Sequence, residues 1–223
     1  MARLFLVRHG QAGAVDGDYD KLSPTGERQA ELLGQYFQQR QLRFGLAQSG
    51  TLQRQRQTLD IALSHCSSDQ RAAPDPALNE LPFQDLARIW AAQQNPPPIK
   101  DPLSGKLADI LKSAIGDWIN NVLIEPPLSW NKFQSDALQW LESTRQQHHS
   151  ADDILVVSSG GTISTIMTAL VEAPDLSMLR FNLQLRNTAI CEIQLSPRRA
   201  HLTSFNSLPH LDLLEGGKLV TLI

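Results

Sequence analysis

Only two cysteines occur in the 223 residues, Cys66 and Cys191, too few and too far apart for a disulfide framework. Their apolar or mixed surroundings read as two free thiols in a reducing compartment. No apolar run approaches the ~18 residues that span a bilayer, so no membrane-crossing segment is predicted. The first residues lead directly into a strand, without the basic stretch and apolar core of a secretory signal, and the reading is a cytoplasmic protein. Repeats and low-complexity tracts are lacking; the longest biased run is Pro96-Pro97-Pro98. Charged residues make up 19% and the formal net charge is −3, so nothing draws the chain broadly to nucleic acid or to acidic membranes. A local basic cluster, Arg54-Gln55-Arg56, is still present. Apolar residues at 41% fit a globular chain long enough for one core with a sizeable inserted cap.

What is present has a clear order. Leu4 to Val7 is short and continuously apolar, as expected of a strand covered on both faces. Ser23-Pro24 reads as an N-cap with proline in the first turn of a helix running to about Arg40, with Leu32, Leu33, Tyr36 and Phe37 as its apolar stripe. Phe44 to Ser49 reads as a strand, Leu52 to His65 as a helix, and Arg71 to Pro74 as a third strand. From Leu81 to about Ser129 the character changes. Prolines cluster and Trp90, Trp118 and Trp130 lie in or beside the segment, while Leu107, Ile110, Leu111, Ala114, Ile115, Trp118, Ile119, Val122 and Leu123 keep helical spacing. We expect that stripe to be core, in a helical cap inserted at about 81–130 into a single domain spanning 1–223. A helix from Lys132 to His149 follows, with Phe133, Ala137, Trp140 and Leu141 facing inward. Ile154 to Val157 is a second strongly apolar strand, and Thr188 to Leu195 pairs with Ala200 to Phe205 as a hairpin across Ser196-Pro197-Arg198-Arg199. Strands separated by helices predict an α/β fold, with a mostly parallel central sheet flanked by helices.

Four stretches carry chemistry. Arg8-His9-Gly10 ends the first strand; Ser49 to Thr58 ends the second and opens a helix; Leu78-Asn79-Glu80-Leu81 follows the third; Ser158-Ser159-Gly160-Gly161-Thr162 ends a fourth. Strand carboxyl ends are where ligands gather in open α/β sheets, so one crevice can collect all four. A fixed cation beside an imidazole suits holding and attacking a phosphate, and Gly10 allows a close backbone approach and a sharp turn. Alone, each residue has a commoner structural use: His9 as a packing histidine, Arg54 on a solvated helix face, Glu80 as a helix N-terminal charge. Arg56 reads as a surface arginine.

Together these motifs resemble the histidine phosphatase superfamily, the phosphoglycerate-mutase-like proteins. The resemblance runs through Leu6-Val7-Arg8-His9-Gly10, Ser49 to Thr58, Asn79-Glu80-Leu81 and Val156 to Thr162, with Arg186-Asn187-Thr188 and Ser204-Phe205-Asn206 matching the late hairpin. It covers nearly the whole chain outside the insert. It implies a phosphomonoester hydrolase in which His9 is the nucleophile and becomes a phosphohistidine. Arg8 and Arg54 would clamp the phosphoryl oxygens. Glu80 would protonate the leaving alkoxide and then activate water. Ser159 and Gly160 would complete the phosphate site, with no metal or other cofactor. The implied substrate is a small phosphate ester or a phosphoprotein, with no nucleic-acid or membrane partner.

The chain departs from the pattern at Ser159, where the family carries a second histidine. Losing a charge-assisted hydrogen bond costs roughly 1.5–3 kcal/mol, and losing a preorganised oxyanion donor about 10²–10³-fold in rate. Weakened turnover is therefore expected, with two compensations open. The amides of Gly160, Gly161 and Thr162 open a helix that can bind an anion, and His148, His149, His201 or His210 can supply an imidazole. The alternative reading is a catalytically impaired phosphate-binding or regulatory module. A phosphoglycerate mutase-type phosphotransferase is a third. Where that branch carries an asparagine, this chain has Val15 followed by Asp16, Asp18 and Asp20, a loop that repels a second anionic group.

Overall fold

The computed structural model describes residues 2–13, 20–94, 106–148, 153–211 and 217–222, with backbone alone for 106–108. Val15, Asp16, Asp18, the prolines at 96–98 and 102, and His149 lie outside the described residues.

The elements in chain order are β1 (Arg3–Arg8), α1 (Pro24–Gln39), β2 (Arg43–Ser49), α2 (Gln53–Leu63), β3 (Ser67–Ser68), a short 3-10 turn (Pro76–Leu78), α3 (Phe83–Gln94), α4 (Lys106–Ile119), α5 (Trp130–His148), β4 (Asp153–Ser158), α6 (Gly160–Leu170), α7 (Ser177–Asn182), β5 (Ile190–Leu195) and β6 (Ala200–Ser207). They build one six-stranded sheet in the order β3-β2-β4-β1-β5-β6. Strands β1 to β4 run parallel, β5 is antiparallel to β1, and β6 is antiparallel to β5. The fold is α/β with a mostly parallel sheet flanked by helices.

Alternation explains why β1 and β4 are apolar at every position between their polar ends. Leu4, Leu6, Ile154 and Val156 enter one buried cluster with Trp140 and Leu141 of α5 and Ile163, Ile166 and Met167 of α6. Phe5, Val7, Leu155 and Val157 enter another with Leu33 and Phe37 of α1 and Leu59 and Ala62 of α2. Successive side chains point to opposite faces, and helices cover both. On the second face, the Phe5, Phe37 and Phe44 rings pack edge to face at 5.1–5.8 Å.

A third cluster joins α3 and α4 to the start of α5 and to α7: Leu86, Ile115, Trp118, Ile119, Leu123, Trp130, Phe133 and Met178. The Trp118 and Trp130 rings cross at 5.4 Å, and their indole N–H groups donate to Leu128 O and the Asp175 carboxylate. The stripe expected to be core is buried at Ala114, Ile115, Trp118, Ile119 and Leu123, but Val122 is 58% exposed. It lies beyond the end of α4, where Asn121 takes a positive φ of 57° and breaks the helical phase.

The third strand also differs from expectation. It is the polar pair Ser67–Ser68, beside Arg43 and Phe44, and the stretch read as Arg71 to Pro74 contributes an isolated bridge from Arg71 to Ala47. Two residues on a sheet edge carry no apolar pattern to read. Ser23 caps α1 as expected, accepting from Gly26 N through Oγ at 3.0 Å.

Candidate active site

Register brings three of the four motif stretches to one edge of the sheet, and Leu78 to Leu81 reaches it from the 3-10 turn and not from the strand expected before it. Arg8 is paired with Ser158 and Ser49 with Val157, so the chain leaves β1, β2 and β4 side by side. His9 is fixed there by its backbone, whose N–H donates to Ser158 O at 2.9 Å while its carbonyl accepts from Asn187 Nδ2 at 3.2 Å. The next N–H, from Gly10, donates to Thr58 Oγ1 at 3.0 Å, tying the loop to α2. Gly10 faces Gly26 of α1 so closely that a Cβ on either would overlap backbone atoms, which is the close approach its glycine permits.

The His9 ring is buried, with Nδ1 2.7 Å from Gly10 O and Nε2 3.1 Å from Arg54 Nε. A carbonyl only accepts and a guanidinium only donates, so the proton sits on Nδ1 and the lone pair on Nε2. Burial first, then the charges of Arg8 and Arg54, hold the imidazole well below its ordinary value of 6.5. The result is a neutral, oriented imidazole with the Nε2 lone pair held against the Arg54 donor.

The two arginines arrive from different elements. Arg8 ends β1, with Nη1 donating to Leu185 O at 2.5 Å and Leu222 O at 2.7 Å. Arg54, in the first turn of α2, is buried and its Nη1 pairs with Asp20 at 2.7 Å. The other Asp20 oxygen accepts from Gln53 N at 2.9 Å. Glu80, just past the 3-10 turn, places Oε1 2.9 Å from Gly161 N and 3.0 Å from Leu81 N. A Cβ at Gly161 would overlap this carboxylate.

Arg8, His9, Arg54 and Glu80 line a single cavity of about 390 Å³. Ser159 and Gly160 do not line it. Ser159 is fully buried and its hydroxyl accepts from Gln55 Nε2 at 2.8 Å, an amide that also donates to Leu78 O at 2.8 Å. Gly160 leaves room for Asn182, which does line the cavity, because a Cβ there would overlap the Asn182 side chain.

Among the described residues no second imidazole stands in for Ser159, and one of the three expected helix amides is already occupied. The Gly161 amide at the start of α6 is taken by Glu80, so the anion at this helix N-terminus belongs to the protein itself. His148 lines a separate groove of about 810 Å³ beside β2 and α5. His201 is exposed on β6, His149 lies outside the described residues, and His210 is buried with Nε2 2.9 Å from Thr188 Oγ1. Among the described residues, none of these histidines lines the His9 cavity.

Three contributors escaped the sequence reading. Asn182 sits on α7, six residues long and too short for periodicity to reveal. The Asp20 contact with Arg54 was visible only as charge in a loop, and Gln55 only as one polar residue among several in α2.

The family model described as histidine phosphatase superfamily (branch 1) matches residues 4–208. A broad-specificity phosphatase of Saccharomyces cerevisiae is 38% identical over 73 residues, covering 30% of this chain and 32% of the yeast protein. The chain thus matches about a third of that relative's length. Among solved structures, a phosphoserine phosphatase variant from Entamoeba histolytica in complex with phosphoserine superposes with a TM-score of 0.65 at 22% identity, covering 95% of this chain and 100% of that one. The alpha-ribazole phosphatase of Shigella flexneri superposes with a TM-score of 0.63 at 23% identity, covering 92% and 96%. At these identities the two structures speak to the fold.

Proposed function

The chain belongs to the histidine phosphatase superfamily (branch 1), and we propose that it is a phosphomonoester hydrolase working through a phosphohistidine on His9. The observation that carries this reading is the neutral His9 imidazole, with its lone pair on Nε2 beside two guanidiniums in one cavity.

As substrate enters, Arg54 exchanges its bond to Nε2 for a phosphoryl oxygen, which frees the lone pair and brings a fixed cation onto developing charge. Nε2 then attacks phosphorus, the bond from phosphorus to the ester oxygen breaks, and Glu80 gives its proton to the departing alkoxide. In the second half, water attacks phosphorus and gives its proton to Glu80. The phosphorus–nitrogen bond breaks, and the imidazole regains its lone pair as phosphate leaves. Arg8 supplies the second cation, from a guanidinium already held by two backbone carbonyls. Ser159 contributes no direct contact to this sequence, so turnover lacks the donor that a second histidine would provide.

An aryl phosphate assay in the presence of chelator tests the reading, with His9→Ala as control. Equal background from both proteins rejects catalysis at this site. A second reading, a phosphate-binding module with impaired turnover, is favoured by the Ser159 hydroxyl being committed to Gln55. Tight phosphate binding without hydrolysis would select it.

A further inference from the structure

Resting on the phosphatase reading, we propose that this site takes phosphomonoesters whose leaving group is apolar and uncharged, seated against a wall formed by Leu81, Phe83, Leu111, Ile115, Leu179 and Leu183. The polarity of the cavity is divided. Its phosphate end holds Arg8, His9, Arg54 and Glu80, and the remainder is lined by those six side chains with Gln84, Lys112 and Asn182. The wall comes from the start of α3, one face of α4, and α7 with the residue following it, so the cap and the α6–β5 connection build it jointly.

Its rigidity follows from what stands behind it. Leu81 and Ile115 belong to the same buried cluster as Trp118, Trp130 and Phe133, with Phe83 and Leu179 packed against that cluster. Such a surface is formed before ligand arrives. Leu183 is 53% exposed on the cavity's lining, an apolar area that an apolar ligand would cover.

A second charge on the leaving group finds little to meet. Among the described lining residues, Lys112 is the one cation besides Arg8 and Arg54. It lies 3.8 Å from the Asp109 carboxylate, with 48% of its side chain exposed, so its charge is shared and solvated. A carboxylate or second phosphate placed against the wall would lose water without gaining a buried partner. Gln84 and Asn182 can satisfy a hydroxyl or carbonyl on an otherwise apolar group.

Calorimetry on the intact chain, with methyl-, butyl- and octylphosphonate, phosphonoacetate and inorganic phosphate, reads this selectivity without requiring turnover. Affinity is expected to rise about fourfold per methylene along the alkyl series, while phosphonoacetate binds no better than methylphosphonate. Leu183→Asp, at a half-exposed position that tolerates change, should weaken octylphosphonate at least about tenfold more than methylphosphonate. Leu111→Asp gives an independent check from α4. Inorganic phosphate binding with no chain-length dependence, or a preference for phosphonoacetate, overturns this inference and leaves the phosphatase reading standing. No binding of phosphate or any phosphonate overturns both.

Discussion

Gln55 donates from Nε2 to the Ser159 hydroxyl at 2.8 Å, and both side chains are fully buried. The amide therefore fills space that a larger residue at 159 would need. Ser159→His alone should raise turnover little and cost about 1–3 kcal/mol by overpacking, because the imidazole would press on a glutamine left without one of its acceptors. Gln55→Ala with Ser159→His should raise kcat about tenfold or more over the parent. Denaturant melts and aryl phosphate kinetics on the two singles and the double measure the coupling. A full gain from Ser159→His alone would show that Gln55 does not obstruct it.

Asp20 sets a competition for Arg54. Its carboxylate lies 2.7 Å from Nη1, so an incoming phosphate meets a guanidinium already paired. Asp20→Asn removes a negative charge beside the anion and should tighten inorganic phosphate binding about tenfold. The same variant should lower kcat, since the guanidinium loses an anchor. Product inhibition by phosphate and steady-state kinetics separate the effects; unchanged inhibition would place Asp20 outside the anion's field.

Much of this site was legible because its parts sit at strand ends. Leu4 to Val7 and Ile154 to Val157 announced themselves as doubly covered strands, which located Arg8, His9 and the Ser158 to Thr162 turn. Glu80 and Arg54 were singled out by the resemblance of Asn79-Glu80-Leu81 and of Ser49 to Thr58 to the family's motifs, and the strand expected before Glu80 is not the one that forms. The remainder depended on tertiary contact. Nothing in local pattern says that Gln55 of α2 reaches Ser159, or that Glu80 occupies the Gly161 amide, because both contacts join residues about eighty to a hundred positions apart. Short α7 and the two-residue β3 lacked the length that periodicity needs. Val122 kept the helical spacing of its neighbours yet fell past the helix end, since spacing does not mark where a chain turns.

Glu80→Gln keeps an acceptor for the Gly161 amide but cannot donate the proton that the leaving oxygen needs. For an alkyl phosphate, kcat should fall about 10²–10⁴-fold, and for an aryl phosphate with a good leaving group the loss should be much smaller. Equal losses on both would assign Glu80 a structural task at the start of α6.

Acid should destabilise the fold through its buried histidines. Burial holds His210 down at about 3 and, with Arg8 and Arg54, holds His9 well below 6.5. Above pH 6.5 both are neutral in folded and unfolded chains and contribute no pH dependence. Below it the unfolded chain binds protons that the folded one does not, so stability falls by about 1.4 kcal/mol per pH unit for each group. For His210 that window runs down to about 3. Thermal melts from about pH 7 to about pH 5 should show His210→Gln losing less stability than the parent; parallel curves would contradict the assignment.

The most direct test of the central claim is to quench the protein during incubation with an aryl phosphate and map any phosphoryl group by mass spectrometry under alkaline conditions. We expect an acid-labile, base-stable adduct on the peptide containing His9, absent from His9→Ala. Hydrolysis that continues in His9→Ala, or an adduct on any other residue, would contradict the account.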